Sequence, residues 1–326
     1  MSAGEAASRA DGCPDGVPPF LRKQLAAAYG TAACRRVLAG YGAACGRPVT
    51  LRANALKADA DEVAAALDAA GIAFERVPWY ADAFVLPAVR ERAVWELALY
   101  QEGRVYLQSL SSMLPVLALE PRAGADILDM CAAPGGKTSQ ICALTGGGAH
   151  VTACEMNAPR AEKLAYNLEK LGAANVNIMR VDARRLDEFF RFDQVLVDAP
   201  CTGSGTVRAG DARAERRITP KLLEKVTRSQ SQLLDRALTV LKPGGELVYS
   251  TCSVLPAENE EQVERALERH RDCELASIAA TAAATDAAPL PCRLDGCALI
   301  CPDGRYEGFF IAKIKKVGRD GGRQGA

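Results

Sequence analysis

The stretch ILDMCAAPGGKTSQICALTGG (127–147) reads as strand, glycine turn and helix. The apolar run over 127–131 breaks at AAPGGKT, and a helical pattern resumes at SQICALTGG. Gly135 and Gly136 let the backbone fold tightly and let a ligand approach the main chain. The helix behind them presents free N–H groups and the positive end of its dipole, which suits a nucleotide or a carboxylate. The pattern is neither G-x-G-x-x-G nor G-x-x-x-x-G-K-[ST], which weighs against NAD and ATP. An ordinary tight strand-to-helix turn would also use glycine.

Working outward, strands are predicted at 150–155, 175–182, 192–200 and 246–253, with helices at 158–172, 219–241 and 256–270 and a final strand within 304–316. Thr219 is a natural N-cap and Pro220 suits the first helical position. Five strands alternating with helices imply an α/β, doubly wound parallel sheet whose ligands sit at the carboxyl ends of the strands. Upstream, RPVTLRANALK (47–57), IAFERVPWY (72–80) and AFVLP (83–87) read as strands, with a helix over 59–71 capped by Asp59 and stopped at Gly71. That order suggests a small α/β module. Residues 87–100 read as helical, and 103–121 as a linker followed by a helix. Residues 1–18 read as a disordered tail, and helical patterns broken by glycines run from Pro19 to about Cys45.

With 326 residues, 49% of them apolar and 25% charged, the chain is sized for one large domain and an accessory piece. No apolar run is long enough to cross a bilayer, and no apolar signal segment opens the chain, so a cytoplasmic location is expected. The twelve cysteines are then expected as free thiols. They form no C-x-x-C pair, and the Cys292/Cys297/Cys301 spacing matches no zinc pattern, so no metal site is expected. Two histidines are too few for a multi-histidine metal centre and leave acid–base or nucleophilic work to Cys, Asp, Glu, Lys or Tyr.

Lys plus Arg balance Asp plus Glu at 40 each, but the charge is uneven. Residues 1–58 carry eight basic against three acidic residues, 205–228 seven against three, and 305–323 six against two. If these segments meet, they form an anion-attracting rim; apart, they are solvated faces.

The strand ends carry the chemistry. Glu155 lies about 20 residues past the glycines, where such folds place an acid on ribose hydroxyls. Asp182 ends the next strand and could accept a hydrogen bond from an exocyclic amine. VDAPCTGSGT (197–206) sets Asp198 and Cys201 past the fourth strand, and YSTCS (249–253) sets Cys252 at the end of the fifth. One acid and two thiols suit a pyrimidine whose C5 is a poor nucleophile. Thiolate addition at C6 makes C5 enamine-like, an acid at N3 balances the charge, and loss of the C5 proton lets the thiol leave. These residues alone do not say which thiol attacks.

CAAPGGKT (131–138), DAPCTGSG (198–205), LKPGGELVYSTCS (241–253), PAENE (256–260) and EGFFIAK (307–313), with LRANALK (51–57) and YLQSLSSMLP (106–115), resemble the Sun-type (nucleolar-protein/Sun) family of RNA cytosine-5 methyltransferases, near the bacterial ribosomal small-subunit enzymes. The resemblance runs from about residue 20 to 316. It implies a Rossmann-like class I methyltransferase sheet over 103–316, a small N-terminal RNA-binding subdomain over 19–102 and a basic tail over 317–326. It further implies S-adenosylmethionine held by Cys131, Ala132, Ala133, Pro134, Gly135, Gly136 and Lys137, with Glu155 on the ribose, Asp182 on the adenine and Asp198 between methyl donor and base. Cys252 is then the nucleophile, Cys201 assists product release, and Lys137 supports cofactor or base. Where this chain has Glu155 the family often has Asp. RNA is the implied partner, ribosomal first and transfer RNA second, with no membrane and a monomer expected. A methyltransferase for a small molecule or a protein would not need the two strand-end thiols, and an idle RNA-binding assembly factor would not need Asp198, Cys201 and Cys252 together.

Overall fold

The computed structural model describes residues 16–318. Most of the expected N-terminal tail (1–15) and of the basic tail (319–326) lies outside the described residues. Val17 is already buried in the main core, so packed chain begins ahead of residue 19, because Val17 joins Leu21 and Leu25 there.

The first sheet is antiparallel and four-stranded, built from β1 (Val49–Ala53), β2 (Glu75–Arg76), β3 (Ala83–Leu86) and β4 (Val105–Leu107) in the order β2-β3-β1-β4. The helix Ala60–Ala69 covers it. Asp59 accepts from the Asp61 and Glu62 amides while Glu62 returns a bond to the Asp59 amide, a complete capping box. Three predictions change here. The strand expected over 72–80 shrinks to Glu75–Arg76, which pairs with β3 alone at the sheet edge. The helix expected over 87–100 divides into Glu91–Trp95 and Ala98–Gln101. β4, read as linker, completes the sheet by pairing with β1.

The second sheet holds β5 (Asp126–Asp129), β6 (His150–Cys154), β7 (Val176–Met179), β8 (Phe192–Asp198), β9 (Leu241–Thr251), β10 (Cys273–Ala276), β11 (Ala298–Ile300) and β12 (Phe309–Lys316). Its order is β10-β12-β9-β8-β5-β6-β7, with β11 added on β12. β5 to β9 are mutually parallel, as expected. β12 runs antiparallel to β9, and β10 and β11 antiparallel to β12, so the far side of the sheet is mixed.

Strand alternation sends neighbouring residues to opposite layers. Leu128, Val195, Val197 and Tyr249 pack with Leu233, Leu234 and Leu238 of the helix Pro220–Val240 and with Leu21, Leu25 and Tyr41 of the helix Pro19–Ala43. Ile127, Leu196 and Val248 pack on the other face with Met113 and Leu114 of the helix Leu110–Leu119, Ile141, and Leu164 and Leu168 of the helix Ala158–Leu171. The sheet is therefore doubly wound, and the N-terminal helix packs with the large sheet. Among the described residues no helix is long and apolar enough to cross a membrane.

Candidate active site

β5 is the point where the strand order reverses, with β6 on one side and β8 on the other. The crevice above such a switch point is where open α/β sheets bind ligands. Gly135 caps the helix Gly136–Leu144 at φ 109°, a left-handed geometry that favours glycine. A Cβ on Gly136 would sit 2.8 Å from the Tyr106 ring, so only glycine lets the turn pass that close. Arg52, fully buried, reaches from the first sheet to the same helix and donates to Ser139 Oγ at 3.1 Å and Gln108 Oε1 at 3.2 Å. Burial lowers its pKa from the usual guanidinium value. Beneath the turn, Asp129 accepts from Thr138 Oγ1 at 2.7 Å and the Cys131 amide at 3.3 Å, and burial pushes its carboxyl up to about 6.

Two adjoining cavities open above these strand ends. One, of about 370 Å³, is lined by Cys131, Ala133, Glu155, Asp182, Asp198, Cys201 and Cys252 among others. The second, of about 290 Å³, is lined by Tyr106, Ser112, Ala132, Pro134, Gly136, Lys137, Glu307 and Phe309, and again by Asp198 and Cys252. Asp198 and Cys252 thus stand on the wall common to both. A wider hollow of about 610 Å³ lies at the opposite ends of the strands, lined by His150, Asn175 and Phe192, and neither thiol faces it.

Glu155 is only 5% exposed; it accepts from the Asn157 amide at 2.8 Å and pairs with Arg160 at 3.1 Å. Asp182 sits three residues past β7, where the strand expected to run to it has ended, and caps the short turn Ala183–Arg185. Arg184 binds it at 2.7 Å and holds its carboxyl below the usual range. Met156 (62% exposed) and Val181 (36%) put apolar surface at the mouth of the larger cavity. An acid suited to ribose, an acid suited to an amine and apolar surface for a ring fit an adenosine-bearing cofactor, and the amide-bearing turn fits its charged end.

Lys137 Nζ lies 2.7 Å from Asp198 Oδ2 and 2.8 Å from Ser112 Oγ, and 5.6 Å from the Phe309 ring centre. Ser250 donates to the other Asp198 oxygen at 2.8 Å. The Cys201 and Cys252 sulfurs are 3.1 Å apart and both thiols are free. The contact with Cys252 and burial push the Cys201 thiol well above its ordinary pKa.

Every residue singled out from the sequence lies at this crevice. Gly135 alone among them lines neither cavity; it shapes the turn and packs on Leu164. Sequence reasoning missed Ser112, Ser250, Tyr106, Phe309 and Arg217 as site residues. Their signal was position within YLQSLSSMLP, YSTCS, EGFFIAK and the basic 205–228 segment, and nothing local marks the side chain that turns inward. The three basic segments do converge. The Ala209 amide donates to Tyr41 O at 2.9 Å, Gly308 donates to Gly205 O at 2.9 Å, and Arg47 pairs with Glu307 at 3.9 Å.

The comparisons follow the same division of the chain. Residues 116–315 match the family described as 16S rRNA methyltransferase RsmB/F, and residues 17–90 match a RsmF/B-like ferredoxin-like domain. Ribosomal RNA small subunit methyltransferase F of Shewanella denitrificans is 34% identical over 285 residues, covering 84% of this chain and 56% of that protein. The protein of that name from Cronobacter sakazakii is 36% identical, covering 84% and 58%. The chain thus spans little over half the length of these relatives. A solved methyltransferase homolog from Pyrococcus horikoshii superposes with a TM-score of 0.77 at 30% identity, covering 92% of this chain and all of that one. NSun6 from the same organism, solved with SFG, shares the fold with a TM-score of 0.80 at 22% identity, covering 93% of this chain and 99% of that one. On the matched span, which is more than half of its length, the chain belongs to the 16S rRNA methyltransferase RsmB/F family.

Proposed function

We propose that this chain is an S-adenosylmethionine-dependent RNA cytosine-5 methyltransferase acting on small-subunit ribosomal RNA. The observation that carries the reading is the pair of sulfurs 3.1 Å apart beside a Lys137–Asp198 ion pair, on the wall shared by two cavities. The curated relatives, named for small-subunit ribosomal RNA, support the substrate class.

S-adenosylmethionine, when bound, supplies an electrophilic methyl group. The residues that would hold it are the 131–137 turn, Glu155, Asp182 and Asp198. The second cavity takes the target base, which must leave its stack to reach the thiols. Cys252 attacks C6. The Cys252 thiolate forms the S–C6 bond, the C5=C6 pair moves toward C5 and N3, and N3 takes a proton that the Lys137 ammonium passes through Asp198, leaving that pair one proton short. C5 then carries the electron density the transfer needs. In elimination the C5 proton leaves to solvent, its bonding pair restores C5=C6, the S–C6 pair returns to Cys252, and N3 gives its proton back to the Lys137–Asp198 pair. The Cys201 thiol, 3.1 Å away, donates to that departing thiolate and so assists release. Exposed Arg208, Arg213, Arg216 and Arg217 flank the thiol loop, and Arg217 also lines the larger cavity, so phosphates can be gripped at its rim.

Labelled methyl donor and ribosomal RNA provide the test. Wild type labels cytosine C5, Cys252→Ala loses the label, and Cys201→Ala accumulates a covalent protein–RNA adduct. Label retained in Cys252→Ala, or RNA binding without methyl transfer by wild type, overturns the reading.

A further inference from the structure

Glu258 falls in the helix expected over 256–270. It is instead fully buried, in the turn Pro256–Glu258 that follows β9. Its Oε1 accepts from the Thr202 amide at 2.8 Å and from Gln230 Nε2 at 3.2 Å. Its Oε2 accepts from Thr202 Oγ1 at 2.6 Å and from the Ser253 hydroxyl. Thr202 is the residue after Cys201, and Ser253 is the residue after Cys252. Gln230 also donates to Pro200 O at 3.0 Å, on the other side of Cys201. One carboxylate therefore grips the chain next to both thiols. An ionised carboxylate is an acceptor only, and all four groups facing it are donors, so the set is satisfied in one arrangement.

Resting on the function proposed above, we propose that Glu258 is the positioning residue that fixes the Cys201 and Cys252 sulfurs at their working separation. The two thiols end different strands and are 51 residues apart in the chain, so their separation is set by contacts between the two loops. The loop after Cys201 is also tied to the Cys252 strand end further along, where Gly205 N donates to Cys252 O at 3.0 Å and Val254 N donates to Ser204 Oγ at 3.0 Å, so Glu258 holds the residues next to the sulfurs while these bonds hold the rest of the loop. The clamp is also braced from behind. Tyr249 donates to Glu258 O at 2.6 Å, and Asn259 donates to Ser253 O at 3.0 Å. The buried negative charge of Glu258 adds to the forces that keep Cys201 protonated, which favours the donor role assigned to that thiol.

The test separates positioning from bulk stability by reading the sulfurs directly. Diamide oxidises two adjacent thiols to a disulfide, taking up both hydrogens to become its hydrazine, and peptide mass mapping distinguishes a 201–252 link from any other. Wild type links rapidly. Glu258→Ala slows the link about tenfold or more and lowers kcat on the order of 10²-fold while KM for RNA and methyl donor moves little, since misplacement of about 1 Å is enough for that loss. Glu258→Gln restores both, because its carbonyl can face the two N–H donors and its amide the two hydroxyls, which turn to accept. Should Glu258→Ala fail to fold, Thr202→Val and Ser253→Ala each cut one arm of the clamp and are expected to slow the link. Wild-type linking rates in Glu258→Ala, or in both arm variants, overturn the proposal. A wild type that links its thiols but methylates no RNA would sink the proposed function and leave the clamp standing.

Discussion

Replacing Asp129 by Asn should make the protein more stable, and by an amount that grows with pH. Asp129 is 1% exposed and its carboxyl is raised from an ordinary 3.8 to about 6. Burial is the largest cause; the Thr138 hydroxyl and the Cys131 amide oppose it, Asp198 adds to it, and Lys137 opposes it. The folded state thus holds this proton more tightly than the unfolded chain does. Below pH 3.8 both states are protonated and the group exacts no penalty. Between there and pH 6 the unfolded chain sheds its proton first, and stability falls. Above pH 6 the full penalty is reached, about 3 kcal/mol for the difference between 3.8 and about 6. Asn can accept from the Cys131 amide and donate to Thr138, so it keeps both contacts without the charge. The advantage of Asp129→Asn over wild type should therefore grow by about 2 kcal/mol between pH 4.5 and pH 8. Urea unfolding of both proteins across that range measures it. A difference that stays flat with pH, or that shrinks as pH rises, would refute the assignment of a buried, proton-holding carboxyl beneath the turn.

Arg52→Met should destabilise the fold by about 2–4 kcal/mol and weaken methyl-donor binding, because two good hydrogen bonds from a buried cation are lost and Gln108 is left short of a donor. Thermal melts and calorimetric titration check it, and an unchanged melting temperature would contradict it. Gly205→Ala should prevent stable folding of the thiol loop, since its Cβ would fall 1.9 Å from Gly308 O, which is backbone and cannot swing aside. A soluble, cooperatively melting variant with normal 201–252 linking would show that contact to be slack.

Much of the sheet was legible because its signals are local. The Asp59 N-cap, the Thr219–Pro220 start, the Gly172 stop and the Gly135–Gly136 turn each act within a few residues, so residue type and spacing reveal them. The five parallel strands were legible for the same reason, as apolar runs closed by turns. Legibility failed where the partner strand decides. IAFERVPWY has strand-forming composition, but its only neighbour is β3 and two residues suffice for that pairing. β4, β10 and β11 are three or four residues long and exist because longer strands template them.

The amino-acid order by itself determined the class of fold and which residue types stand at the strand ends, because propensity, capping and turn geometry are settled by near neighbours. Only the folded chain decided that two cysteines 51 residues apart meet at 3.1 Å and that Glu258 lies between their loops rather than in water. Those facts depend on distances through space between separate strands, and no local preference carries that information.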